Sequence, residues 1–150
     1  MLIEKKVNKM IKDLKDNQVD FTMKDISSHY NILLIYNDEV SRFTYLNEVP
    51  VIYIKHSTLI EEWKDFTLQL GYFFINETNP HHVINLNQEL TEQIIYKFSL
   101  LMQMPECEIE KHSLFTQQSL INHFNVDYTS AHKRLCYLNA WYASESWCSS

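Results

Sequence analysis

The chain holds a single glycine, Gly71, among 150 residues, and three prolines. Positive-φ turns, tight hairpins and phosphate-cradling loops all draw on glycine. Helices joined by polar loops, with at most a small sheet, are what such a chain can build. No G-x-G-x-x-G, P-loop or G-x-S-x-G elbow can be written with one glycine. Gly71 itself does not sit in turn chemistry. It falls within "TLQLGYFF" (67–74), a run that otherwise reads as helix, where glycine costs about 1 kcal/mol against alanine.

Hydrophobic periodicity gives the elements. Leu2, Ile3, Val7, Met10, Ile11 and Leu14 recur at helical spacing between lysines and acids. This predicts an amphipathic helix ending near Asn17, the pattern of a packed helix with a solvated face. Asp25 to His29 read as a short helix or turn, and Asn31 to Tyr36 as a buried strand. Arg42 to Leu46 and Val51 to Ile54 are β-rich runs around "NEVP", where Pro50 suits the connection or an edge strand. Together these predict a small antiparallel sheet. Thr58 and Glu61 form a capping-box pair before a helix with Leu59, Trp63, Phe66, Leu70 and Phe73 or Phe74 on one face, running to about Ile75. A further helix spans about Leu90 to Met102 and stops at "MPECE", because Pro105 cannot continue it. "EIEKHS" can add a short helix. Thr116 and Asp127 are N-caps for two helices about an Asn125-Val126 turn. Leu120, Ile121, Phe124, Val126, Leu135 and Leu138 supply their core, and the tail "SESWCSS" is expected to fray. The fold class is α+β, mainly helical. Residues 1–110 form a first unit, and 111–150 a helical segment packed on it.

Charge and cysteine usage narrow the function classes. Thirteen basic against nineteen acidic residues give a net charge of −6, which opposes non-specific nucleic-acid binding. Cys107, Cys136 and Cys148 are odd in number and lack C-x-x-C spacing, which suits a reducing cytoplasm. The N-terminus is too charged for a signal peptide, and no apolar run reaches membrane-spanning length. A cytoplasmic protein with no membrane partner is expected. His29, His56, His112, His123 and His132 stand singly and His81-His82 are adjacent. A metal site needs three or four converging donors, so surface or capping roles are expected. His56, between a strand and a helix, is the one to watch. Tyr137 and Trp141, at i and i+4, are expected in the core. Tyr142 and Trp147 extend that aromatic run.

Leu68 and Tyr72 share one helical face, with Gln69 beside them, in the geometry by which H-E-x-x-H presents two zinc-binding imidazoles and a general base. The frame "WKDFTLQLGYFF" resembles the ImmA/IrrE family of zinc metallopeptidases, whose helix reads F-x-x-A-H-E-L-G-H-Y. Phe66, Leu70, Gly71 and Phe73 occupy matching places. "ELTEQIIYKFSLLMQMPECEI" is similar to the family's second helix, with Glu92 at the third ligand position, Phe98 at the aromatic one and Met104-Pro105 closing it. "QSLINHFNVDYTSAHKRL" follows the helix-turn-helix-like segment beyond, through Phe124, Asn125, Val126, Arg134 and Leu135. The likeness runs over residues 25–138. It implies a zincin-like fold in which Gly71 is kept because something packs closely on the backbone.

The departures bear on function. Leu68 stands where the first histidine would be, Gln69 replaces the catalytic glutamate, and Tyr72 replaces the second histidine. Leucine has no lone pair. Glutamine cannot take a proton from water, and tyrosine ligates only after losing a proton with a pKa near 10. Glu92 alone does not hold zinc. The resemblance therefore implies a pseudo-peptidase without metal, cofactor or catalytic residues. It would act by protein binding on a helix-turn-helix repressor of a phage or mobile element, in a bacterial cell. Two alternatives stay open. One is a DNA-binding regulator using Thr129, Ser130, His132, Lys133 and Arg134, which are equally candidate partner contacts. The other is a metallopeptidase with a rearranged site drawn from His56, Tyr72, His81, His82 and Glu92.

Overall fold

The computed structural model describes residues 3–78 and 88–149, with the side chains of 3–77 and 88–145. Helix α1 (Ile3–Asp16) and helix α2 (Met23–His29) precede strands β1 (Leu33–Asn37), β2 (Arg42–Leu46) and β3 (Val49–Lys55). Helices α3 (Leu59–Thr78), α4 (Gln88–Gln103), α5 (Glu106–His112), α6 (Gln117–Phe124) and α7 (Tyr128–Ser149) complete the described chain. It is an α+β protein, mainly helical, and no described helix is long and apolar enough to cross a membrane. The last helix continues to Ser149 rather than fraying at 144.

The sheet is mixed, in the order β1-β3-β2, not antiparallel throughout. β2 and β3 are antiparallel because the two-residue Asn47-Glu48 turn reverses the chain at once, pairing Leu46 with Val49. β1 pairs with β3 in parallel, Leu33 opposite Val51 through Asn37 opposite Lys55. The β1–β2 connection therefore passes over the end of β3. Asn37 shapes it: its Oδ1 accepts from the N–H groups of Glu39 (2.7 Å) and Val40 (2.9 Å), and its Nδ2 donates to Val40 O (2.9 Å). β1 is thus an edge strand, with Leu33 and Tyr36 exposed, not a buried one. Pro50 lies inside central β3, but at a place where only Tyr45 of β2 flanks it, since pairing with β1 begins at Val51. The missing N–H breaks no ladder there. Among the described residues, six non-glycine ones carry positive φ, including Asn47 (50°), Glu48 (70°), Ser113 (53°) and Asn125 (55°). The chain makes its left-handed turns without glycine.

Caps fall where the sequence puts them. Thr58 Oγ1 accepts from Glu61 N at 3.2 Å, while the return bond comes one residue on, Ser57 N to Glu62 Oε2 at 3.1 Å. Thr116 and Ser119 form a full capping box for α6, and Asp127 Oδ1 accepts from Ser130 N at 2.6 Å to start α7.

Two apolar clusters fill the interior. The first joins α1, α2, the sheet, α3 and α4 through Val7, Leu14, Ile26, Ile52, Phe66, Leu70 and Phe98. The second joins α4 to α5, α6 and α7 through Leu100, Met104, Ile109, Leu120, Ala131 and Leu138. Helix α4 serves both. A largely buried polar junction ties the halves: Arg134 Nε donates to Met104 O (2.9 Å) in the interior, and, part-buried, Asn8 Nδ2 donates to Glu106 Oε2 (2.7 Å) and Trp141 Nε1 to Glu106 Oε1 (3.1 Å).

Candidate functional site

Helix α3 crosses the sheet antiparallel to β3, held to β2 by Ser41 Oγ to Asp65 Oδ2 (2.9 Å) and Tyr45 OH to Glu77 Oε1 (2.9 Å). Burial and the Glu77 carboxylate push the Tyr45 phenol up to about 12. Phe66, Leu70 and Phe73 belong to the first core, with Phe73 meeting Phe43 of β2 edge to face. A second stripe faces α4. Thr67 Oγ1 and Ser99 Oγ are 2.6 Å apart, and Phe74 lies 5.3 Å from Phe98 between centroids. Between them, a Cβ placed on Gly71 would come 3.1 Å from Phe98 Cδ1 and 3.2 Å from Ile95 Cγ2. The glycine lets α3 and α4 approach, which answers why the only one in the chain stands in mid-helix.

Leu68, Gln69 and Tyr72 follow from the same geometry. At about 100° per residue, Leu68 and Tyr72 lie about a third of a turn round from the α4-facing stripe and well away from the core stripe. Gln69 lies between them and the core stripe. All three are half-buried. Glu92 continues the Ile95–Ser99 face of α4 by one turn. It is exposed, and its Oε1 accepts from Gln88 Nε2 at 3.2 Å. Helix α3 thus carries an aliphatic chain, an amide and a phenol, all half-buried, outside its α4-facing stripe, and α4 carries an exposed carboxylate.

His56 does not join them. It lies before the first turn of α3, its Nδ1 4.0 Å from Glu62 Oε2 and its ring stacked on Tyr36. At 1.5 Å per residue, Tyr72 is roughly 20 Å further along the helix. His81 and His82 lie outside the described residues. His29 is a packing residue. Its Nε2 sits 3.0 Å from Asp13 Oδ2, and that hydrogen bond, with one from Tyr30, holds the Asp13 carboxyl below its usual range. The Tyr30 phenol is raised by burial and by Asp13.

The α6–α7 segment divides its candidate contacts. Thr129, His132 and Lys133 are exposed, Lys133 lying over the Tyr137 ring. Ser130 and Arg134 are corrected to interior positions at 5% and 2% exposure. Ser130 faces inward next to the cap, and Arg134 reaches across to the α4 terminus. Burial lowers the Arg134 guanidinium to about 10 despite Glu106 and Glu4 nearby. Trp141 is buried and Tyr137 half-buried, as the i, i+4 spacing predicts. The Trp147 side chain and that of Cys148 lie outside the described ones. Around the start of α7, Lys64 Nζ of α3 comes 3.9 Å from Asp127 Oδ2. Exposed Leu59, Ile60 and Tyr128 stand at the same ends of the two helices.

One grouping escapes the sequence reading. Glu108, His112 and His123 converge where α5 meets α6. The i, i+4 spacing of Glu108 and His112 is legible on a helix. His123 is not, since it arrives through the left-handed turn at Ser113 and the length of α6. Compared with protein-family models and with curated proteins, the chain matches none.

Proposed function

We propose that this protein is a non-hydrolytic relative of the ImmA/IrrE peptidases that works by holding a protein partner, a helix-turn-helix repressor of a phage or mobile element. The reading rests on one observation: Leu68, Gln69 and Tyr72 are half-buried on a helix that is packed on its neighbour through Gly71. At those places the resemblance requires two nitrogen donors and a proton acceptor. The order of elements, a three-stranded sheet followed by two long helices and a helical C-terminal segment, supports the same reading. Without metal-bound water there is no nucleophile for peptide hydrolysis, and what such a frame retains is a surface. The net charge of −6 favours encounter with a basic DNA-binding partner.

Direct titration of the purified chain against helix-turn-helix repressors encoded beside it tests the reading. Saturable binding with no change in the repressor's mass is expected. Failure to bind any of them, or cleavage that a chelator abolishes, overturns it. The DNA-binding alternative draws on exposed Thr129, His132 and Lys133, but two of its five candidate contacts are interior. A gel shift that weakens steeply with salt would favour it.

A further inference from the structure

Helices α5 and α6 carry a further grouping of polar side chains, independent of partner binding. Helix α5 ends at Ser113 in the left-handed conformation, and Leu114 packs into the second core beside Ile109 and Leu120. This anchors α5 against α6. Glu108 and His112, one turn apart on α5, are brought against His123 in the last turn of α6. His112 Nε2 lies 3.4 Å and His123 Nε2 3.7 Å from the same carboxylate oxygen, Glu108 Oε2. The two rings are 4.9 Å apart between centroids, and all three donor atoms fall within 4.8 Å of one another.

Two chemistries fit such a group, and their preferred spacings differ. A charge-assisted hydrogen bond between imidazole and carboxylate closes to about 2.7–2.9 Å. Donors around a zinc ion, with bonds of about 2.0–2.1 Å, stand about 3.4 Å apart along the edges of a tetrahedron. The two histidine–glutamate separations lie closer to the second distance. Both imidazoles bring Nε2 within 3.7 Å of one carboxylate oxygen. The side chains are 43%, 34% and 32% exposed for His112, His123 and Glu108, so a cation has access from solvent and water can complete the coordination. Glu108 and His123 also line a cleft of about 470 Å³ walled by Leu14, Phe21, Trp63 and Phe124.

We infer that Glu108, His112 and His123 form a binding site for a divalent transition-metal cation of the zinc class, with two imidazoles and one carboxylate as ligands and at least one position left to water. Two nitrogens and one oxygen suit zinc and its neighbours in the Irving–Williams series better than calcium or magnesium, which take oxygen donors. Lys15 opposes the cation. Its ammonium donates to Cys107 Sγ at 3.1 Å and lies within electrostatic reach of Glu108, so neutralising it tightens the site.

The test uses the full chain without a histidine tag, stripped with a chelator and titrated with zinc against a chromophoric competitor, and with cobalt in parallel. One saturable equivalent that persists when calcium and magnesium are in excess is expected, with visible cobalt bands of low-symmetry coordination. Each of His112→Ala, His123→Ala and Glu108→Gln should weaken it by about tenfold or more, the scale on which even outer-shell losses act. Lys15→Gln should strengthen it a few-fold. All four changes are at the surface, and unchanged far-ultraviolet circular dichroism shows that the variants fold. Zinc should raise the melting temperature of the wild type and not that of the His112→Ala/His123→Ala variant. Absence of a saturable equivalent at 100-fold molar excess of zinc overturns the inference. So does an equivalent that survives the double substitution, which would place the cation elsewhere.

Discussion

The α3–α4 pair and the α5–α6 corner differ in what their side chains do: the first packs helix on helix, the second gathers polar donors at the surface. The first has the framework: two long helices locked by Thr67, Gly71 and Phe74 against Ser99, Ile95 and Phe98. Its flank offers leucine, glutamine and tyrosine, with one exposed carboxylate beyond. The second has the donors, two imidazoles and a carboxylate, carried on helices of seven and eight residues at the surface. The contrast teaches that packing and ligation are separable layers. Packing residues face a neighbouring helix and are held by burial. Leu68, Gln69 and Tyr72 are half-buried beside that packing, so on the proposed reading a helix pair keeps its geometry when the residues beside its packed face differ.

The sharpest way to break that contrast is to place donors on α3. Leu68→His, Gln69→Glu and Tyr72→His together restore the H-E-x-x-H spacing on the α3 flank. If the framework is intact, the triple variant should gain an equivalent of zinc, measured by elemental analysis in the His112→Ala/His123→Ala background so that the α5–α6 corner contributes nothing. Glu92→Gln should then lower its affinity. A triple variant that folds and takes up no zinc would remove the ground for the peptidase resemblance.

A stability effect of a different origin separates the regions. Arg134 is buried at 2% exposure, donates to Met104 O at 2.9 Å and lies near Glu106 and Glu4. Arg134→Ala leaves the α4 terminal carbonyl without that donor, withdraws the cation from two carboxylates and opens a cavity. Loss of about 3 kcal/mol in denaturant-measured unfolding is expected. A loss below 1 kcal/mol would show that the α7 junction is not held by this side chain.

Gly71→Ala probes the other region. At an exposed helix position the change would stabilise by about 1 kcal/mol. Here the new methyl presses on Phe98 and Ile95, at 0% and 2% exposure, and neither has solvent to move into. Overpacking of this kind costs about 2 kcal/mol, so a net loss of about 1 kcal/mol is expected. A gain in melting temperature would mean that α3 and α4 can separate freely. The α3–α4 packing would then not be the reason for the glycine.

How much of this was legible depended on whether the deciding contact is local. Thr116 and Asp127 marked helix starts because a cap acts over three residues, and Arg42 to Leu46 emerged as a strand with those bounds. The parallel pairing of β1 with β3 was not legible, because alternation shows which residues form strands but not which strand lies alongside. Arg134 read as a surface contact because arginine is usually exposed. Only the meeting of α7 with the end of α4 makes it interior. His112 and His123 read as isolated for a like reason: their convergence depends on the turn at Ser113. At the α3 flank the residues were legible by type, whereas the exposure of Glu92 depended on how α4 lies.

An effect of similar size is expected at the surface contact of α3 with the start of α7. Asp127 caps α7 by accepting from Ser130 N at 2.6 Å and sits 3.9 Å from Lys64 of α3. The Ser130 backbone N–H, assisted by its hydroxyl and by Lys64, holds the Asp127 carboxyl below its ordinary value of 3.8. A carboxyl lowered on folding contributes its stability in full above that ordinary value and loses it as pH falls through the lower folded value. Asp127→Ala should therefore cost about 1 kcal/mol at neutral pH, mostly the cap, since the lysine pair is exposed. The gap from wild type should narrow below pH 3.8. Asp127→Asn keeps an acceptor for Ser130 N without a titrating group, so it should retain most of the stability and lose the acid dependence. If asparagine and alanine destabilise equally, the contribution comes from charge across the α3–α7 contact rather than from the cap, and the two regions are coupled electrostatically there as well as through the buried junction.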